Sequence, residues 1–412
     1  MKKIISLLLL PLAAFSQQPA WNMEGAVQYA LQHNKNLQAA DARVEYFRKL
    51  LPTAGDIGKT EVAMQYGQYN SYVKNDNNFS ITQAIPFPTN LGAKKQLGES
   101  QVKEATFLKA NTGNELAYQV KEAYLQLLFL KEQRELLLHQ DSLFIAFAKK
   151  ADLRYRTGEG KMLEKTASDT RKQEVENLLR QNEADLNIFA ARLKALTGMS
   201  EGEALPALQE GSLKDLTITP VFDSTRISQH PLLQYLQQQA VTADKQQKVY
   251  ANAILPDITV GYFNQSLIGT PVNATGTPLA TGSNRFQGFQ VGLALPIWAR
   301  PMRARVKAEA QQEQAATLTF EQNSIQLQSQ YTQALQQYIK QTGNLRYYEQ
   351  SALPNASLIL KQSQLAYGAG EIGYAEHFLN LEQVLSIRQG YLKSLLDNKI
   401  AVSYINYLAG NQ

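Results

Sequence analysis

The chain carries one unit twice, and that duplication limits the fold more than any single motif does. The first copy reads "LQHNKNLQAA" and the second "ISQHPLLQYL", with His33 set against His230. Both segments run on to Leu-Pro, at Leu51-Pro52 and Leu255-Pro256, and a strand-like stretch follows each. "NFSITQAIPFP" then matches "GFQVGLALPIW", aligning Phe79 with Phe289 and Pro86 with Pro296. Long helical stretches come next and reverse at "RYRTGEG" and "LAYGAGEIG", aligning Tyr155 with Tyr367. The copies close on "LKALTG" and "INYLAG", aligning Gly198 with Gly410. Each copy therefore runs helix, strand, strand, helix, turn, helix. Residues 17–198 form the first repeat, 224–412 the second, and 199–223, with several Gly and Pro, the connector.

Helix length sets the architecture. Proline cannot continue a helix from within but can open one, so Pro86 and Pro296 read as helix starts. The stretch from Pro86 to Thr157 is then about 105 Å long at the α-helical rise, and Pro296 to Tyr367 about the same. The return helix, Lys161 to Thr197, spans about 55 Å, and the helix before the strands, Trp21 to Leu51, about 45 Å. Those two laid end to end match one long helix, and the second repeat gives the same sum. Uncapped helices of this length indicate coiled-coil packing rather than a compact globule. Their Gln, Ala and Ser content suits a thin wall wet on one side.

The strand regions alternate with period two. Phe289, Val291, Leu293 and Leu295 alternate with Gly288, Gln290, Gly292 and Ala294. Ile258, Val260 and Tyr262 alternate with Asp257, Thr259 and Gly261; Val62, Met64 and Tyr66 with Glu61, Ala63 and Gln65; Phe79 and Ile81 with Ser80 and Thr82. One oily face and one small or polar face fit a membrane barrel with a wet lumen, and equally a half-buried sheet. The polar segments Asn70–Asn78 and Gly269–Asn284 would be the external loops of a barrel.

The start of the chain favours the barrel. Lys2 and Lys3 precede the apolar run Ile4–Leu10, and Ala14 and Ser16 bracket Phe15, so residues 1–16 read as an export signal with Gln17 first in the mature chain. The run is too short for a membrane anchor. No later stretch is long and apolar enough for a membrane helix, which leaves a soluble exported protein or a β-barrel. There is no cysteine, which excludes disulfides, thiolate metal sites and a lipid on an N-terminal cysteine. The net charge of +5 is spread out, without the basic clusters that nucleic acid needs. No nucleotide-binding glycine pattern and no His-Glu-x-x-His occurs. His33, His139, His230 and His377 are scattered, and the methionines are widely spaced. An enzyme is not expected, nor a cofactor or bound metal.

On these residues the chain resembles the TolC family of outer-membrane efflux proteins over nearly all of its mature length. The likeness is carried by "MEGAVQYALQHNKNLQAA", "SITQAIPFPTNLGAKKQLGESQ", the turns "RYRTGEG" and "LAYGAGEIG", and the duplication itself. The resemblance implies a mainly α fold with β: long antiparallel helical hairpins forming an α-barrel, plus four strands per chain in a shared transmembrane β-barrel. It implies a homotrimer in outer-membrane lipid with a periplasmic tunnel. A periplasmic adaptor and an inner-membrane transporter would be its partners. "PFPTNLGAKK" is most similar to the branch serving heavy-metal or cation pumps; an exit duct for drug efflux or type I protein secretion is the other channel reading. A periplasmic coiled-coil adaptor also has long hairpins, but not two equivalent strand pairs. An exported helical hydrolase would need a residue set that is not visible.

The resemblance also nominates residues. Thr157, Gly158, Glu159 and Gly160, with Gly368, Gly370, Glu371 and Gly373, would be the periplasmic tips that dock the adaptor. Glu164 and Glu376, each six residues past a turn glycine, match acidic family positions at the periplasmic gate, and Tyr367 matches a gating tyrosine. The family's arginine partner falls on Ile372 and does not carry over.

Overall fold

Asparagine, proline and glycine divide the chain into its elements. A computed structural model describes residues 21–68, 73–209, 211–266, 268, 272–277 and 284–410. The expected export signal lies outside the described residues, as do parts of both expected external loops. Helices α1 (Met23–His33) and α2 (Lys35–Leu50) lead through a 3-10 turn to strands β1 (Glu61–Tyr66) and β2 (Asn77–Ile85). Helices α3 (Pro88–Arg156) and α4 (Met162–Thr197) complete the first half. The second half holds α5 (Pro231–Asn252), β3 (Asp257–Gln265), β4 (Phe286–Ala294), α6 (Arg300–Tyr347), α7 (Leu353–Ala369) and α8 (Tyr374–Leu408).

Three expectations about the helices need correction. Pro86 does not open α3. Phe87 precedes a second proline, which forces it into extended backbone (ψ 135°), so the helix begins at Pro88. Pro296 likewise sits in a tight turn closed by Ile297 N–H on the Leu295 carbonyl, and α6 opens at Arg300. The second long helix is also not one uniform rod. Pro354 has no N–H to donate, and a π turn at Tyr348–Ala352 absorbs the mismatch between α6 and α7. Finally, the helix ahead of the strands breaks at Asn34, whose extended backbone (ψ 127°) separates α1 from α2.

That break is a joint. The Asn34 carboxamide oxygen accepts from the N–H groups of Asn36 (2.9 Å) and Leu37 (3.2 Å), capping α2. Its nitrogen donates to the Leu196 carbonyl at the end of α4 (2.9 Å). One side chain thus satisfies orphan groups of two helices that meet head to tail, with their dipoles aligned favourably. Gly198 (φ +73°) ends α4, and a β-carbon there would lie 2.5 Å from the His33 carbonyl. In the second half His230 takes the place of Asn34, so the two repeats register one residue away from the His33–His230 alignment. His230 Nδ1 accepts from Leu232 N–H (3.2 Å) and caps α5. Asn114 donates to the Tyr407 carbonyl near the end of α8 (3.2 Å). Short helices therefore stack end to end beside long ones: α4 on α2, and α8 on α5.

Helix α3 is the spine. Near the sheet it packs on α2 and α5; away from the sheet it packs on α4 and α8. The main core gathers Leu116–Leu128 of α3 with Met23, Val27, Leu193, Leu395 and Leu396. The connector closes over this core rather than hanging free. Trp21 N–H donates to the Ala207 carbonyl and Gln209 N–H to that of Trp21 (both 2.8 Å), while Leu213 is buried.

The four strands form one antiparallel meander, β1-β2-β3-β4. The register places Val62 opposite Ile81, Ile81 opposite Tyr262, and Tyr262 opposite Phe289. Every residue of the expected oily set that lies within the strands thus shares one face; Leu295 falls just past the end of β4. That face is uncovered: Phe289 is 86 %, Val291 77 % and Met64 69 % exposed. The outer edges of β1 and β4 have no strand partner among the described residues. No described helix is long and apolar enough to cross a membrane.

Burial at the second joint lowers the His230 pKa from 6.5 to about 4, with the Tyr407 carbonyl opposing the shift. The folded value lies below the unfolded one. The neutral ring's contribution is therefore complete above pH 6.5 and is lost as the pH falls toward 4. Protonation would also remove the acceptor that caps α5. Denaturant unfolding in detergent should show a loss on the order of 3 kcal/mol from this residue across that window. His230→Asn, which copies the first joint, should lack that component; equal pH slopes in the two proteins would refute the assignment.

Candidate functional site

The two expected tips are built by the same local chemistry. After α3, Gly158 adopts φ +79°; its N–H donates to the Tyr155 carbonyl (3.2 Å) and that of Glu159 to Arg154 (2.9 Å). After α7, Gly370 adopts φ +75°; its N–H donates to Tyr367 (3.2 Å) and that of Glu371 to Ala366 (2.9 Å). This paired bonding terminates a helix only when a residue enters the left-handed region, which glycine does without a steric penalty. Thr157, Glu159, Gly368, Gly370, Glu371 and Gly373 are exposed, and Gly160 is partly covered by Arg154.

The turns stand side by side, and residues not singled out from the sequence hold them. The Tyr374 hydroxyl, on α8, hydrogen-bonds Ser168 of α4 and reaches the Phe147 carbonyl of α3 (3.3 Å). Ser168 donates to the Glu164 carbonyl (2.9 Å). Beneath them Phe144, Phe147 and Phe378 pack ring to ring, with Val175, Leu381 and Leu385 buried around them. Arg171 of α4 pairs with Glu382 of α8 at 2.6 Å. Burial raises the Tyr374 hydroxyl pKa, the Ser168 hydrogen bond works against it, and the nearby charge of Glu164 adds to the rise.

The expected gate residues fall at this end but in unlike settings. Glu376 is exposed, whereas Glu164 is half-buried, with its Oε2 shielded and without a hydrogen-bond partner. Tyr367 lies flat on the His377 ring, with centroids 4.7 Å apart and planes at 10°. His377 is buried and its Nδ1 bonds the Ser363 hydroxyl (2.7 Å). Burial, then the charge of Lys150, lowers the His377 pKa. The first repeat repeats the geometry with different chemistry: Lys165 lies 5.7 Å over the Tyr155 ring and pairs with Asp152 at 2.7 Å. The signal for this pairing is in the sequence, because Lys165 follows Tyr155 at the same distance that His377 follows Tyr367. Among the described residues no group of three acids or histidines is placed to hold a metal ion.

No family model matches the chain, and no curated protein matches it in sequence. Its fold does match solved structures. With the outer-membrane channel OprN the TM-score is 0.80 at 15 % identity, over 95 % of this chain and 90 % of that one. With CusC, whose structures concern folding and transmembrane channel formation, it is 0.75 at 14 % identity, over 95 % and 92 %. With the outer membrane protein VceC of Vibrio cholerae it is 0.75 at 15 % identity, over 94 % and 96 %. The chain has the fold of these outer-membrane channels, the one that the resemblance to the TolC family implied.

Tyr374 ties the two turns into one unit, so they should loosen together. Tyr374→Phe should cost about 1 kcal/mol locally, a roughly fivefold faster amide exchange. The acceleration should be seen in 162–168 as well as 374–378. Acceleration confined to α8 would show that the turns are independent.

Proposed function

We propose that this chain is the outer-membrane channel subunit of a tripartite efflux system, working as a homotrimer. The observation that carries the proposal is the sheet. It has one uncovered apolar face, one small or polar face and two open edges, and it is joined to a helical body on the order of 100 Å long. Such a sheet is stable in lipid only when its edges are removed. Three copies pairing β4 to β1 would close a barrel, with the oily face in lipid and Gln65, Ser80, Thr82, Thr259 and Gln290 in the lumen. β2, β3 and β4 each hold nine residues, the length a tilted barrel strand needs. In this reading residues 1–16 direct export, and 17–198 and 224–412 are the two repeats joined by 199–223.

The helical body would then cross the periplasm, with the paired turns facing the inner membrane. Thr157–Gly160 and Gly368–Gly373 would meet a periplasmic adaptor that couples to an inner-membrane transporter. Glu164 and Glu376 from three chains would bring six carboxylates to the entrance, with Tyr367 beside them. A ring of acids favours cations, which agrees with metal cations as the cargo.

Cross-linking of detergent-purified protein should trap trimers, and planar bilayers should show a conducting pore. A non-conducting monomer would end the channel reading. Glu164→Gln with Glu376→Gln should weaken cation selectivity and relieve block by divalent cations added on the periplasmic side. Unchanged selectivity and block would remove these carboxylates from the pore. For docking, Glu159→Arg with Glu371→Arg is a cleaner probe than a bulky residue at Gly158 or Gly370, whose left-handed backbone would be strained by any side chain. The charge reversal should abolish export while trimer and conductance persist; export at the parental rate would exclude the tips as the docking surface.

A further inference from the structure

At the helix side of the sheet the chain breaks an electrostatic rule. Helix α6 opens with "RPMRARVK", placing Arg300, Arg303, Arg305 and Lys307 within its first turns, and its first turn contains no acid. Cations there oppose the positive end of the helix dipole. All four are exposed, and none has a carboxylate within ion-pair distance among the described residues. The matching helix α3 opens with "PTNLGAKKQL"; its buried positions in those turns are Asn90 and Ala93. Helix α3 carries Lys94 and Lys95 in its second turn, so the cations particular to the second repeat are those of the first turn, Arg300 and Arg303. Exposed cations set against the helix dipole and without a protein carboxylate suit an anionic partner.

The surroundings say which anion. Arg300, Arg303 and Lys307 line a recess of about 420 Å³ with Ile297, Ala299 and Ala304. Ile297 and Trp298 are 80 % and 86 % exposed and follow directly from Leu295, Leu293 and Val291 of the uncovered face. An apolar band that ends in an indole and then in guanidinium and ammonium groups matches the layers of a lipid leaflet: chains, interface, phosphates. Arginine forks are suited to phosphate oxygens.

We propose that Arg300, Arg303 and Lys307, with Trp298, form a binding site for the phosphate headgroups of anionic phospholipid in the leaflet facing the helical body. The proposal rests on the membrane reading above. It adds that the rim of the second repeat selects lipid charge and holds the barrel at a fixed depth through α6.

The test uses the full protein reconstituted in vesicles. Trp298 is one of only two tryptophans, and Trp21 is buried, so quenching that disappears in Trp298→Phe reports the rim. Brominated phosphatidylglycerol should quench Trp298 at about tenfold lower mole fraction than brominated phosphatidylcholine. The preference should shrink in high salt and persist in millimolar inorganic phosphate. It should vanish in Arg300→Gln/Arg303→Gln/Lys307→Gln while insertion and conductance remain. Equal quenching by the two lipids in an inserted, conducting protein would overturn the site and leave the channel reading standing. A triple variant that loses its trimer but keeps the lipid preference would show that these cations pair with a neighbouring protomer instead. Failure of the unmodified protein to insert, with no quenching by either lipid, would overturn both.

Discussion

The structure depends on two joints where one helix ends against the start of another. A helix end leaves backbone groups unpaired, and a buried end without partners is costly. Asn34 resolves this with a single carboxamide that accepts from α2 and donates to α4. His230 and Asn114 divide the same work between α5 and α8. Because the ends are satisfied, short helices can be stacked to the length of α3 without a break in the wall. Helix α3 alone spans from the sheet to the turns, and the joints let the stacked short helices match it.

A long wall is useful only if its two ends differ, and here they do. At one end the outward residues are Val, Ile, Met, Phe and Tyr on a sheet with free edges. At the other, glycine turns present exposed backbone over a buried aromatic cluster. Stability is not spread evenly between them. The core around Tyr124 and Leu396 lies midway, while the turn end is held by fewer contacts, among them the Tyr374 hydroxyl. Segments held by fewer buried contacts open more readily than the core.

Most of this was legible in the sequence because it follows from periodicity. Alternation gave the oily set Val62, Ile81, Tyr262 and Phe289, and pairing put that set on one face. The helical lengths and the glycine turns at Gly158 and Gly370 also follow from local rules. What failed depends on neighbours. Pro86 was a fair helix start until Pro88 constrained Phe87. The π turn ahead of Pro354 and the break at Asn34 are likewise side-chain decisions inside a helical pattern. The aligned histidines misled for the same reason: His230 caps a helix, whereas His33 is a helix end stacked on Tyr29. At the tips, Gly, Glu and Tyr stood out, while the Tyr374–Ser168 contact joins residues far apart in sequence and only the packed helices reveal it.

Duplication preserved geometry at the tips more strictly than chemistry. Tyr155 and Tyr367 each lie under the side chain ten positions on, a lysine paired with Asp152 in one repeat and a histidine bonded to Ser363 in the other. An exposed ion pair is weakened by salt, whereas a stacked ring bonded to a hydroxyl is largely indifferent to it. The two turns therefore meet solvent with different sensitivities although their backbones are bonded alike. The acids differ in the opposite sense: Glu164 of the first repeat is shielded near Tyr374, and Glu376 of the second is open to water. If three copies assemble as proposed, every such difference would recur around the axis. A channel made of duplicated units would then have two kinds of position at its entrance, one locked by packing and one held by charge.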